Sequence, residues 1–225
     1  MIENERIKDG YGLLPEVIGK LYIKNDESML YLCTPIKLKY SGKLAVPPQL
    51  ERFQPLIRAV IAREPEVYSK YIYITVKAMY VSGRNTGQRA GWHCDGFMTE
   101  DINYIWSDNI PTIFGSPYYD STGWRDYLST VALPQDHDTC LKWLKEKYAY
   151  HETKYHNNTL LRLDQYVIHK PQEVVAPTFR TFVKISVSDH IYALQGNTKN
   201  PMLPETLEWE YKPRVATRNC PTGRR

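Results

Sequence analysis

The stretch FRTFVKISVS, residues 179–188, alternates without a break between two kinds of side chain. A β-strand sends successive side chains to opposite faces, so Arg180, Phe182, Lys184, Ser186 and Ser188 share one face. Thr181, Val183, Ile185 and Val187 share the other. That second face is β-branched and is expected to pack on a helix. The first carries two cations and a row of hydroxyls, which are costly to bury without partners. It therefore faces solvent, as in a two-layer sheet, or clamps an anion inside a barrel.

The pattern repeats on either side of this stretch. MLYLCTPIKLKY, YIYITVKAMYVS, INYIW and TIFGS read as strands, and NTLLRLDQYVIHKPQEVVA as two strands split near Asp164-Gln165. Leu50, Phe53, Leu56, Ile57, Val60 and Ile61 fall at helical spacing, with Pro55 early and Pro65 as the stop. A second helix is expected over DHDTCLKWLKEKYAYHE, acidic at its start and lysine-rich later. Many short strands with few helices make an α+β chain built on a sandwich or jelly roll. No Rossmann or P-loop alternation and no GxSxG elbow occurs.

At 225 residues the chain suits one domain over 1–225, with a core at about 70–195, helical and strand support at 1–69 and a tail at 196–225. The 18 tyrosines favour strands and polar pockets. A net charge of +4 permits an anionic substrate or nucleic acid without requiring either. The four cysteines form no CxxC pair and no disulfide framework, which fits a reducing, cytoplasmic setting. The N-terminus lacks the apolar stretch of a signal peptide, and no apolar run approaches a membrane span.

The chemistry lies in GQRAGWHCDGF, residues 87–97. If WHCDGF is extended, His93 and Asp95 point one way and Cys94 the other, giving two preset ligands for a divalent metal. Such a pair also arises by chance, so a third ligand decides. His137, His151 and His156 sit in polar stretches and read as solvated, and His190 as surface. His169 differs, because it ends the apolar run YVI where a strand meets Lys170-Pro171, and so faces a core or a site. Two histidines and a carboxylate on one face hold non-haem Fe(II) and leave positions open. Trp92 and Phe97 flank the pair and would fix its geometry. The loop GRNTGQRAG, with Arg84 and Arg89, and the segment MTEDINYIWSDNIPT are candidate substrate walls.

His-x-Asp, a distal histidine and a basic residue on the next strand resemble the Fe(II)/2-oxoglutarate-dependent oxygenases. FR before an apolar strand is similar to the phytanoyl-hydroxylase-like members, and VKIS to the basic-x-Ser pattern of others. The resemblance covers roughly residues 70–195. It implies a double-stranded β-helix (jelly roll) core with flanking helices, and ligands on the second and seventh core strands. It implies Fe(II) on His93, Asp95 and His169, with 2-oxoglutarate and O2 as co-substrates. Arg180, 11 positions after His169 (180 − 169), is the favoured carboxylate clamp. Lys184, at 15 (184 − 169), and Ser186 are the alternative or its helpers. The presence of Asp95 argues against the halogenase variant. The implied activity is hydroxylation of an unidentified small-molecule or nucleobase-type substrate, anions among the candidates, with release of succinate and CO2. Two other readings stand beside it: a metal-binding cupin-like jelly roll without oxygenase activity, and an interaction module whose basic tail KPRVATRNCPTGRR contacts nucleic acid.

Overall fold

The computed structural model describes residues 14–96, 99–117 and 150–213. Among these, nine strands form two antiparallel sheets. The strands are β1 (Glu16–Lys20), β2 (Met29–Lys37), β3 (Tyr71–Val81), β4 (Ile102–Ser107), β5 (Ile113–Pro117), β6 (Tyr150–Lys154), β7 (Thr159–Leu163), β8 (His169–Lys170) and β9 (Thr178–Ser188). The larger sheet has the order β1-β7-β4-β9-β3-β2 and the smaller β6-β5-β8. An isolated antiparallel bridge, His93↔His169, adds one more segment beside β8. From β3 onward the chain therefore passes between the sheets: β3 large, His93 small, β4 large, β5 and β6 small, β7 large, β8 small, β9 large.

One α-helix is described, α1 (Gln54–Arg63), preceded by a 3-10 turn over Pro48–Phe53. Pro55 sits in its first turn, where a missing N–H costs nothing. The chain leaves the helix at Glu64, before Pro65, as the steric restriction on residues preceding proline requires. Leu56, Ile57 and Val60 of α1 join Ile72, Ile74 and Val76 of β3 and Val183, Ile185 and Val187 of β9 in the main core. The helix expected on the β-branched face of FRTFVKISVS is thus α1. A second cluster, Ile105, Phe114, Leu161, Leu163, Val167 and Phe182, fills part of the space between the sheets.

Two expectations change. The helix over 136–152 does not extend to its end, because Tyr150–Lys154 is strand β6, paired along its length with β5. Tertiary pairing overrides a weak local helical preference there. The rest of that helix, with His137 and Cys140, lies outside the described residues, as do Phe97, Cys220 and the end of the basic tail. WHCDGF is also less extended than expected. Only His93 pairs, and the chain turns at once, with Gly96 at φ +75° and its carbonyl accepting from Thr99 N. No helix among the described residues is long and apolar enough to cross a membrane.

Candidate metal centre and its cavity

The bridge between His93 and His169 sets the site. Each backbone N–H donates to the other's carbonyl at 2.9 Å, so the two residues are directly opposite in an antiparallel pair. Directly opposite residues project to the same face. Their rings lie 4.5 Å apart, centroid to centroid. β8 is anchored in turn by β5, with Phe114 opposite His169. Two residues after His93, Asp95 brings its carboxylate to the same place, with Oδ2 at 3.9 Å from His169 Nε2. The three candidate ligand atoms lie within 4.8 Å of one another.

The histidines are oriented alike. His93 Nδ1 donates to Gly91 O at 2.9 Å, and His169 Nδ1 to Val167 O at 3.1 Å. A carbonyl only accepts, so the proton sits on Nδ1 and each Nε2 keeps its lone pair for a metal. Burial keeps both rings neutral. It pulls His93 down to about 4, with His169 beside it adding to the effect. It lowers His169 as well. Burial alone would raise Asp95, yet the nearby Lys184 ammonium, joined in acid by the imidazoles once they are protonated, outweighs it and holds the carboxyl below the usual range. The result is two neutral imidazoles and one carboxylate, the donor set that suits Fe(II). Two ligands at right angles, about 2.1 Å from one ion, lie about 3 Å apart. Closing on a metal therefore asks for a contraction of roughly 1–2 Å, within reach of side-chain rotation.

These side chains border a cavity of about 340 Å³ between the sheets. Lys184 and Ser186 line it, on the face assigned to them by alternation. Lys184 Nζ donates to Asp95 Oδ2 at 3.0 Å. Ser186 Oγ donates to Asn103 Oδ1 at 2.6 Å. Arg180 shares their face but does not line the cavity. Its guanidinium stacks 4.9 Å from the Phe182 ring, which does line it, and Nε donates to Asn109 O at 3.0 Å. Its Nη2 is buried without a hydrogen-bond partner, and burial pulls the group down to about 10. The structure thus gathers His93, Asp95, His169, Lys184 and Ser186 at one cavity and leaves Arg180 behind Phe182.

Both suggested walls contribute. Gln88 and Arg89 come from the glycine-bearing loop, and Thr99, Asp101, Asn103, Ile105 and Thr112 from the segment after the ligands. Arg84 is exposed and does not line the cavity. Cys94, expected to point away from the ligands, is buried and also lines it, because the chain turns after His93 instead of running on as a strand. His151 and His156 are exposed, as expected, and His190 is half-buried. Trp92 packs beneath the ligand segment. Its ring would meet a Cβ on Gly115 at 3.1 Å, and Lys170 Nζ sits 4.4 Å from its centroid.

Sequence reasoning missed two polar groups. Asp101 accepts from Ser188 Oγ at 2.5 Å and from Tyr192 OH, while burial raises its carboxyl above the ordinary value. Asn103 Nδ2 is buried at the cavity without a partner. The one signal in the sequence was alternation, which puts Asp101, Asn103 and Ile105 on one face of their strand; only the pairing with β9 sets Asn103 opposite Ser186 and so at the cavity.

No protein-family model matches the sequence, and no curated protein matches it. Among solved structures, the chain is similar to the apo structure of the Kdo hydroxylase KdoO, a non-haem Fe(II) α-ketoglutarate-dependent dioxygenase. The identity is 10% and the TM-score 0.39, over 76% of this chain and 73% of that one.

Proposed function

We propose that this protein is a non-haem Fe(II)- and 2-oxoglutarate-dependent dioxygenase that hydroxylates a small molecule. The observation that carries the proposal is that His93, Asp95 and His169 bring one ligand atom each to within 4.8 Å of one another at a cavity that also holds a lysine. The triad leaves metal positions open for a chelating keto acid and oxygen. The strand order supports the double-stranded β-helix that such enzymes use. Counted from β3, the bridge residue His93 is second, β8 seventh and β9 eighth, as the ligand and clamp positions require. When bound, Fe(II) with O2 and 2-oxoglutarate supplies the oxidising power for hydroxylation, yielding succinate and CO2.

The chain's own residues do the rest. Gly91 and Val167 carbonyls fix the imidazole tautomers. Phe182 and Ile105, which line the cavity and pack with Phe114, dry its inner end, which strengthens electrostatic contacts there. β9 offers two cations for the far carboxylate of the co-substrate. Arg180 has the favoured spacing and a buried N–H without a partner, and is reached if the Phe182 ring rotates. Lys184 stands in the cavity already, with Ser186 beside it. A volume of about 340 Å³ suits a co-substrate and a compact substrate rather than a polymer. Arg89 at the loop wall favours an anionic substrate.

The test is anaerobic addition of Fe(II), then 2-oxoglutarate, while following the visible charge-transfer band of a chelated keto acid. Wild type shows the band and Asp95→Ala does not. Iron binding without a band points instead to a cupin-like metal protein, and no iron binding refutes the site.

A further inference from the structure

We propose that Lys184 occupies the cation position of the metal-free site by pairing with Asp95, and gives it up to the metal only by transferring to the far carboxylate of the incoming dicarboxylate. The inference rests on the dioxygenase reading above and assigns a device within it. The same carboxylate oxygen, Asp95 Oδ2, that faces His169 Nε2 at 3.9 Å accepts from Lys184 Nζ at 3.0 Å. One oxygen is therefore shared between a would-be metal and an ammonium. Both side chains are about three-quarters buried, at 26% and 27% exposure, so the pair is only weakly screened.

A divalent ion at the triad changes this balance. It takes the Asp95 oxygen and puts a second positive charge near the ammonium, and like charges at such separations repel strongly in a partly dry cavity. Lys184 then needs another anion. Its strand neighbours across the sheet, Thr75 and Ile105, bring no charge. Asp101, the other carboxylate lining this cavity among the described residues, already accepts from Ser188 and Tyr192. A ligand carboxylate fills the gap. Lys184 therefore weakens metal binding on its own and strengthens it when a dicarboxylate is present. Coupling of this kind is reciprocal, so metal equally strengthens co-substrate binding.

The experiment uses Mn(II), which is stable in air, and reads free Mn(II) by electron paramagnetic resonance. Affinities are measured alone, with 2-oxoglutarate and with pyruvate, in wild type and Lys184→Met. Pyruvate has the same chelating end and no far carboxylate. Lys184→Met is expected to bind Mn(II) alone about tenfold tighter than wild type. In wild type, 2-oxoglutarate is expected to tighten Mn(II) roughly tenfold more than pyruvate does, an advantage lost in the variant. Lys184→Gln, which keeps a polar end without the charge, gives the same result and covers a fold defect in the methionine variant. If wild type binds Mn(II) but the variants bind it no tighter, or keep the 2-oxoglutarate advantage, the inference fails and the metal site stands. If wild type binds no Mn(II), both fail.

Discussion

The two faces of β9 use one strand for two purposes. Val183, Ile185 and Val187 are at most 4% exposed and lock onto α1 and β3. Their burial contributes on the order of 2 kcal/mol each. On the opposite face, Lys184 and Ser186 spend their contacts on Asp95 and Asn103, and Arg180 keeps a buried N–H without a partner. One face is saturated and the other is incomplete without a ligand. Stability and chemistry should therefore separate residue by residue along a single strand, and substitutions on the two sides can test that.

The largest effect is expected at the carboxylate that the cavity face addresses. Asp95→Ala should weaken Mn(II) binding by more than about a hundredfold, since even residues that only support a metal ligand cost up to about that much. The metal-free variant should melt near wild type, because the Lys184 ammonium left without its partner lines a cavity that water can enter. A large drop in melting temperature would mean that the pair holds the fold together. The core face predicts the reverse. Ile185→Ala should cost about 3 kcal/mol in a denaturant titration, a loss of roughly a hundredfold in the folding equilibrium. The molecules that remain folded should bind Mn(II) like wild type. Weaker binding would show that the two faces are coupled through the strand.

This division also explains what the sequence disclosed. Strict alternation made both faces of β9 legible, and helical spacing picked out Leu56, Ile57 and Val60, which the structure packs on the β-branched one. Three candidate ligands could be named because His93 and Asp95 stand two apart and a histidine ending an apolar run, His169, has few places to go. What could not be read is long-range register. Nothing local says that His93 stands opposite His169, or that Asn103 stands opposite Ser186. Tyr150, His151 and Glu152 read as the end of a helix for the same reason, since the strand form of Tyr150–Lys154 comes from β5. The rank of the two β9 cations was equally hidden, because it depends on where the Phe182 ring lies.

Acid should act on the cavity side through the buried histidines. His93 is held down to about 4 by burial and by His169, whereas in the unfolded chain it titrates near 6.5. Below 6.5 the unfolded chain takes up a proton that the folded one refuses. Stability of the metal-free protein should therefore fall as pH drops from 6.5 to 4, and this contribution should level off below 4. The loss is on the order of 3 kcal/mol. His169, shifted the same way, adds to it. The carboxylate of Glu64 contributes only lower down. Burial raises it, but Arg162 and Tyr104 more than offset that, so its stabilisation is present above the ordinary carboxyl range and lost beneath it. Urea titrations of wild type and His93→Gln across this range should differ in slope, with the variant flatter. Equal slopes would place the acid sensitivity elsewhere.

The smallest effect is expected from the turn that aims the carboxylate. Gly96 follows Asp95 at φ +75°, in the left-handed region that disfavours a side chain. A Cβ there would stand 3.0 Å from Asp101 Cβ and 3.1 Å from Thr99 Oγ1. The first neighbour is short and buried, so it cannot swing aside cheaply. Gly96→Ala should cost about 1–2 kcal/mol from backbone strain. It should also shift Asp95 away from the histidines. Mn(II) affinity should then fall several-fold while α1 and the β-branched face of β9 keep their packing. That signature differs from Ile185→Ala, where stability falls and affinity holds. If Gly96→Ala lowers stability and leaves affinity unchanged, the aim of Asp95 is set by Lys184 and the histidines rather than by the turn.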